Sequence, residues 1–377
     1  MQMKRFGLCA ALSAAALLLL AGCAGSGSTA APTLTVESSY PLQYAKQFTV
    51  DECTGGYELI TIADSKYLVV PQGAAVPEDL PQGTTVLQQP IENIYLVSTS
   101  AMDPIISLGA LDSIALSGTK ADGWYLPEAK AAMQAGQIAY AGKYSAPDYE
   151  TILASGCGLA IENTMIYHTP EVKEQLEKFG IPVLVERSSY ETDPLARMEW
   201  VKLYGILLGK KQEAEQLFDT QVQRVAPLEN QQPTGKSVAF FSITSNNLVT
   251  VRKGSDYVAR MIEMAGGSYV FDDLTDSGNN LATINLSLED FYAGAKDADV
   301  LLYNSTIEGS IASTEQLVEK CPLLAQFKAV QNGNVWCTAQ SLFQQSMELP
   351  DLILDMNRVF TEGTPADSEL TFLTHVE

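Results

Sequence analysis

The sequence predicts an α/β protein of two similar Rossmann-like lobes with parallel-type sheets. A rigid helical linker joins them, a ligand cleft lies between them, and a small β-meander stands at the N-terminus. Three observations predict this. Apolar strand runs alternate with helical runs, the pattern of a parallel sheet covered on both faces. The stretch "SAPDYETILASGCGLAIENT" (145–164) has a counterpart in "NLSLEDFYAGAKDADVLLYNST" (285–306). Each has a polar turn, a Glu opening an apolar helical run, a small polar turn, a buried-type strand and an Asn/Ser/Thr tip. Finally, three such units recur in the same order on either side of one long helical stretch.

The elements follow in order. Residues 1–22 have a basic start (Lys4, Arg5), an apolar core and a small-residue site. That is a secretory signal, too short and wrongly flanked for a permanent transmembrane helix. Its end, Leu20-Ala21-Gly22-Cys23, resembles the bacterial lipobox, which implies cleavage before Cys23 and a diacylglycerol on its thiol. Residues 23–46, in which "AGSGSTAAPT" follows Cys23, read as a flexible tether. The expected place is outside the cytoplasm, lipid-anchored to the bacterial cell membrane. No later segment has enough consecutive apolar residues to span a bilayer.

Residues 47–193 read as the N-terminal lobe with its leading meander. From Gln47 to Gly73, apolar and polar residues alternate around Gly-Gly and Asp-Ser turns. From Asn93, "NIYLVSTSAMDPIISLGALDSIALSGT" reads as strand, Ser/Thr loop, helix, Gly turn and strand. "TPEVKEQLEKFGIPVLVE" reads as a capped helix, a Gly stop and a strand. Residues 194–235 form the bridge and linker. Met198, Val201, Tyr204 and Leu208 follow one stripe, and Leu217, Phe218, Val222 and Val225 another. Gly209 breaks or bends the run between them. About twenty helical residues reach roughly 30 Å, enough to cross between lobes. In residues 236–377 the same grammar restarts as the C-terminal lobe.

The chain carries 23 Lys and Arg against 45 Asp and Glu, a net charge of −22. Removing Lys4 and Arg5 with the signal makes it −24. Nucleic acid, which needs clustered cations, is excluded as a partner, and the charge favours solubility. Cys53, Cys157, Cys321 and Cys337 lie beyond the signal and Cys23, with no CxxC. Cys321 and Cys337 flank one helix-turn-strand stretch, and both a bridge and two buried free thiols stay open.

Catalytic patterns are missing. The sequence has no GxSxG, no GxxxxGK[ST], no HExxH, and no GxGxxG after a strand. Its only two histidines are His168 and His375, so a site built from several imidazoles is impossible. Similar lobes with a cleft between them, exported and tethered, suggest capture by domain closure. An enzyme using that cleft and an adhesive lipoprotein are the readings from other classes.

The chain from about Asn93 to Val359 resembles the substrate-binding proteins of ABC importers. It is similar to the class bridged by a rigid helix, which handles iron(III)-siderophores, haem and cobalamin. "ENIYLVSTSAMDPIISLGALDSI", "PDYETILASGCGLAI", "GIPVLVE", "LYGILLGKKQEAEQLF", "YVARMIEMAGGSYVF", "LSLEDFYAGAKDADVLLY" and "AVQNGNVW" carry the resemblance in order. The second departs from the family's Pro-Asp, having Cys157-Gly158 instead. The resemblance implies a monomer that is not an enzyme, has no resident cofactor and binds a metal chelate. It implies delivery of an iron-siderophore, haem or corrinoid to a permease dimer with its ATPase. A receptor of the same fold for another anionic small molecule stays open.

In that family a surface Glu on each lobe pairs with Arg residues of the permease, and the matching positions are Glu150 and Glu289. A Glu at a helix start also complements the dipole. The resemblance places the ligand cleft where strand C-termini of both lobes face each other. The candidates there are Lys143, Tyr144, Glu162, Tyr167, Arg187 and Tyr190 from the first lobe. From the second they are Arg252, Tyr257, Asn304 and Gln344. Guanidinium forks grip carboxylates, phosphates or catecholate oxygens, and Tyr offers a flat face with a hydroxyl. Trp124 and Tyr125 are read either as ligand contacts or as a surface-loop anchor.

Overall fold

The alternation that starts at Gln47 belongs to a larger sheet than a hairpin or small meander. In the computed structural model, which describes residues 32–275 and 282–377, five strands stand in chain order. They are β1 (Val36–Ser39), β2 (Phe48–Cys53), β3 (Tyr57–Ile62), β4 (Ser65–Val70) and β5 (Thr84–Gln88). The first four pair antiparallel, and β5 joins β4 in parallel. Ala63 and Asp64 alone connect β3 to β4, and Ala63 takes φ +49°. Two-residue hairpin loops need this left-handed backbone to match the strand twist.

Residues 36–46 are therefore part of the fold rather than of a tether. β1 is exposed along its length, so no apolar alternation marks it. Beyond it, the backbone N–H groups of Gln43, Tyr44 and Ala45 donate to the buried carboxylate of Glu199. Those of Lys46 and Gln47 donate to Glu191, which also accepts from Trp200 Nε1 at 3.0 Å.

The N-terminal lobe is built from β6 (Ile94–Leu96), β7 (Ile114–Ser117), β8 (Ala139–Tyr140), a small hairpin β9 (Gly142–Lys143) and β10 (Ala146–Pro147), then β11 (Ala160–Glu162) and β12 (Val183–Val185). Its main sheet runs β12-β11-β6-β7-β8 and every pair is parallel. Helices α1 (Met102–Ser107), α2 (Pro127–Gln134), α3 (Tyr149–Ala154) and α4 (Pro170–Lys178) make the crossovers.

The linker is a helical hairpin. Helix α5 (Pro194–Leu207, 14 residues) and α6 (Lys211–Val225, 15 residues) meet at Gly209, whose φ is +68°. At 1.5 Å per residue, neither alone reaches the 30 Å of a single bridging helix. The two pack on each other instead. A Cβ on Gly205 would stand 2.4 Å from that of Ala214, so only glycine allows this approach. Every residue of α5 is buried. The linker is thus the core between the N-terminal sheet and both lobes.

The C-terminal lobe contains β13 (Ser237–Ile243), β14 (Val249–Arg252), β15 (Ser268–Tyr269), β16 (Thr283–Leu286), β17 (Val300–Tyr303), β18 (Val335–Thr338) and β19 (Leu373–His375). Its helices are α7 (Tyr257–Met264), α8 (Leu288–Ala295), α9 (Ser305–Glu308), α10 (Thr314–Lys320), α11 (Lys328–Gln331) and α12 (Leu349–Glu362). The sheet is mixed. β13 pairs in parallel with β15 and β17, and β17 with β18, while β14, β16 and β19 pair antiparallel. The neighbours β18-β17-β13-β15 reproduce β12-β11-β6-β7 of the other lobe. Shared strand order is what makes the two halves similar. Cys321 and Cys337 are buried and unbridged.

Candidate functional site

The C-terminal ends of the strands in both lobes converge on a cleft of about 690 Å³. The loop after β12 brings Arg187 and Tyr190, and β14 with the start of α7 brings Arg252 and Tyr257. These four sequence candidates meet there.

The carboxylates on the cleft wall are already engaged. Glu186 accepts from the hydroxyls of Ser98 and Ser100, each at 2.9 Å, and from the Ser188 N–H at 2.7 Å. Glu191 is held as described above. Asp256 caps α7 by accepting from Val258 N–H at 3.0 Å, and lies 3.6 Å from Arg252. Burial raises the Asp256 carboxyl above its ordinary value, against the lowering pull of Arg252.

The cations are less committed, and each guanidinium rests on an aromatic ring. Arg187 lies 4.6 Å from the Tyr190 centroid, with Nε donating to Gln47 Oε1 at 3.3 Å. Arg252 lies 4.6 Å from the Phe343 centroid. Arg197, from the first turn of α5, lies 4.9 Å from the Tyr257 centroid. It is 6 % exposed, and among the described residues it makes no hydrogen bond or ion pair. Tyr257 therefore serves as the buried platform under Arg197. Sequence reasoning missed Arg197 because it sits inside a helical run read for its apolar stripe. The available signal was a charged residue in the first turn of a helix whose length is otherwise mostly apolar, a feature it shares with Glu199 and Lys202 further along.

Other candidates fall elsewhere. Glu162 ends β11 with its side chain turned to the face packed by α3 and α4, while its neighbour Asn163 lines the cleft. Strand alternation sends adjacent residues to opposite faces. Glu162 is fully buried, neither carboxylate oxygen has a partner among the described residues, and burial pushes its carboxyl up to about 8. Lys143 is exposed in β9, and Tyr144 packs on the apolar cluster of that lobe. Tyr167 points out from a short 3-10 turn. None of these lines the cleft.

Gln344 fastens the lobes instead. Its Oε1 accepts from Tyr125 N–H and its Nε2 donates to Gly123 O, each at 2.8 Å. The intervening Trp124 is buried and donates to Ser117 Oγ, so this loop is an anchor, although Tyr125 is exposed. Nearby, Met347 N–H donates to Asp103 Oδ2 at 2.7 Å, and Asp103 lies within hydrogen-bonding reach of Glu348. Burial, then mutual repulsion, raises the Asp103 carboxyl. Asn304 caps α9 and lines a second, smaller cavity.

Glu150 and Glu289 are both exposed, each the second residue of its helix, in α3 and α8. Asp148 and Ser287 cap the same two helices. Cys23 lies outside the described residues. Among the described residues, no group of three or more His, Cys, Asp or Glu side chains could hold a metal ion. No helix among them is long and apolar enough to cross a membrane.

The periplasmic binding protein profile matches residues 96–341. An uncharacterized lipoprotein of Methanocaldococcus jannaschii is 25% identical over 314 residues, covering 79% of this chain and 72% of the relative. Among solved structures, the periplasmic haem-binding protein of Vibrio cholerae superposes with a TM-score of 0.57 at 18% identity, covering 73% of this chain and 99% of that one. A periplasmic binding protein of Veillonella parvula gives 0.61 at 16% identity, covering 81% and 97%. An ABC-type Fe3+-hydroxamate transport protein of Saccharomonospora viridis gives 0.56 at 22% identity, covering 72% and 94%. With a profile match over most of its length and the two-lobed fold to go with it, the chain belongs to the periplasmic binding protein family, whose members bind solutes for transport and are not enzymes.

Proposed function

We propose that the chain is the extracytoplasmic receptor of an ABC importer and that its cleft captures an anionic metal chelate: an iron(III)-siderophore, haem or a corrinoid. One observation carries this reading. Arg187, Arg197 and Arg252 come from the first lobe, the linker and the second lobe, and each lies over a ring at the cleft wall. Fixed guanidiniums with rings behind them suit a ligand that presents both negative charge and flat faces. The names of the Vibrio cholerae and Saccharomonospora viridis proteins, which refer to haem and to Fe3+-hydroxamate, support the same class.

Two features support delivery to a membrane. Glu150 and Glu289 occupy equal positions on corresponding helices, so one permease dimer would grip both lobes. Cys23 follows a lipobox-like Leu20-Ala21-Gly22, and the Methanocaldococcus relative is named a lipoprotein. The rival reading is another multiply charged anion, since the arginines do not themselves require a metal.

Incubating the purified protein with ferric siderophores, haem and cobamides, desalting, and recording absorbance spectra tests the proposal. Retention of one chromophore at one equivalent is expected. Loss of all three on desalting would move the function to the rival.

A further inference from the structure

Beside the main cleft, the open face of the C-terminal sheet carries a second cavity of about 250 Å³. The strand register explains its chemistry. Ser242 pairs with Thr250, and Thr250 with Asn285, so three polar side chains stand in one row across β13, β14 and β16. Directly paired antiparallel residues share a face. Two residues along, Arg252 pairs with Thr283 on that same face. Asn304 closes one end from the tip of β17.

Two of these groups are buried with unused hydrogen-bonding capacity. Ser242 is 1 % exposed, and its hydroxyl makes no hydrogen bond among the described residues. Asn304 is 5 % exposed; its Oδ1 accepts from Thr306 N–H and Oγ1, while its amide NH2 donates to no described residue. Both groups line the cavity, so an unused hydroxyl and amide there are available to a partner supplied from outside. That partner is neutral. No carboxylate lines the cavity among the described residues, so none of them draws a cation. Arg252, the one charged residue among the described lining, is already turned to Phe343 and Asp256 on the main cleft's side.

We propose that this cavity is a subsite for a neutral arm of the ligand, one bearing hydroxyl or amide groups, with Arg252 as the wall it shares with the main cleft. The inference rests on the proposed capture of a metal chelate in that cleft, which for a corrinoid puts its phosphodiester on the arginines. It also narrows the choice within that class. A chelate with amide or sugar arms, such as a corrinoid, uses both cavities. Haem, whose edge carries only carboxylates and apolar groups, uses one.

The test is titration of wild type and Ser242→Ala/Thr250→Val with cyanocobalamin and with haem. Thr250→Val keeps shape, and a thermal melt confirms the fold; Thr283→Val alone is the reserve variant. The expected result is at least tenfold weaker binding of cyanocobalamin with haem affinity unchanged within twofold, since each lost neutral hydrogen bond is worth a few-fold to about tenfold. Unchanged affinity for both chelates, or equal loss for both, would overturn the subsite. If wild type binds neither chelate, the capture reading fails separately, and saturation-transfer NMR with methyl glucoside and N-acetylglycinamide then decides the cavity. A signal that vanishes in Ser242→Ala/Thr250→Val but survives Arg187→Ala upholds it, and no signal overturns it.

Discussion

The guanidinium of Arg197 lies 4.9 Å from the centroid of the Tyr257 ring, which joins the linker helix to the C-terminal lobe at the cleft wall. A charge this buried, with no hydrogen bond or ion pair of its own among the described residues and only the longer-range pull of Asp256, burdens the empty protein. An anionic ligand relieves that burden. Arg197→Met should therefore do two things at once. It should weaken chelate binding by roughly 30-fold to several thousandfold, the equivalent of about 2–5 kcal/mol. It should also leave the unliganded protein as stable as wild type or more so. Calorimetry and thermal melts on one preparation check both. Wild-type affinity in the variant would remove Arg197 from the site.

Arg187 and Arg252 face the cleft from opposite lobes, backed by Tyr190 and Phe343. Arg187→Ala and Arg252→Ala should each weaken binding at least roughly tenfold, or about 1.4 kcal/mol, with the fold intact. Titrating both against whichever chelate wild type retains checks this. Normal affinity in both would place the ligand elsewhere.

Glu150 and Glu289 are the second residues of α3 and α8 and stay exposed. Exposed ion pairs are individually weak, so single substitutions should reduce uptake only partly. Glu150→Ala with Glu289→Ala should abolish import in reconstituted vesicles while ligand affinity stays unchanged. Normal import by the double variant would leave these residues as helix-end charges and nothing more.

Glu162 gives the pH prediction. Its folded carboxyl titrates near 8 because burial disfavours the charged form. In the unfolded chain it titrates near the ordinary value of about 4.3. Between those limits the folded state holds a proton that the unfolded state has lost. Stability is therefore full below the lower value and declines as pH rises through the upper one. Each unit of displacement corresponds to about 1.4 kcal/mol. Glu162→Gln should remove this decline, gaining most on wild type at pH 8–9 and little at pH 4. Denaturant unfolding across that range measures it, and parallel profiles for the two proteins would contradict it.

Cys23 directly follows Leu20-Ala21-Gly22. Cys23→Ala should block processing by the lipoprotein peptidase and abolish palmitate labelling in cells. Persistent label in the variant would rule out this anchor.

The two-lobed plan was legible because it rests on local signals. Gly-terminated helices, continuous apolar strands and the Glu150 and Glu289 helix starts all repeat, and strand order repeats with them. What escaped depends on partners far along the chain. β1 carries no alternation to read, and the segment after it is held by Glu199, over 150 residues away. Gly209 marked a break, but the close packing of Gly205 on Ala214 that folds the linker back is a tertiary fact. Arg187 and Arg252 were found as polar tips after strands. Arg197 was hidden inside a helix, and Glu162 was one position out of phase with the cleft. Gln344 had the right chemistry for a ligand but uses its amide on the backbone of the opposite lobe.

The central claim is that the cleft captures an anionic metal chelate between guanidiniums from both lobes. Isothermal titration of the wild-type protein with a ferric siderophore, haem and a cobamide tests it most directly. Saturable one-to-one binding of at least one, lost or weakened at least tenfold in Arg187→Ala/Arg252→Ala, is the predicted result. No binding of any of the three, or binding that the double substitution leaves untouched, would contradict it.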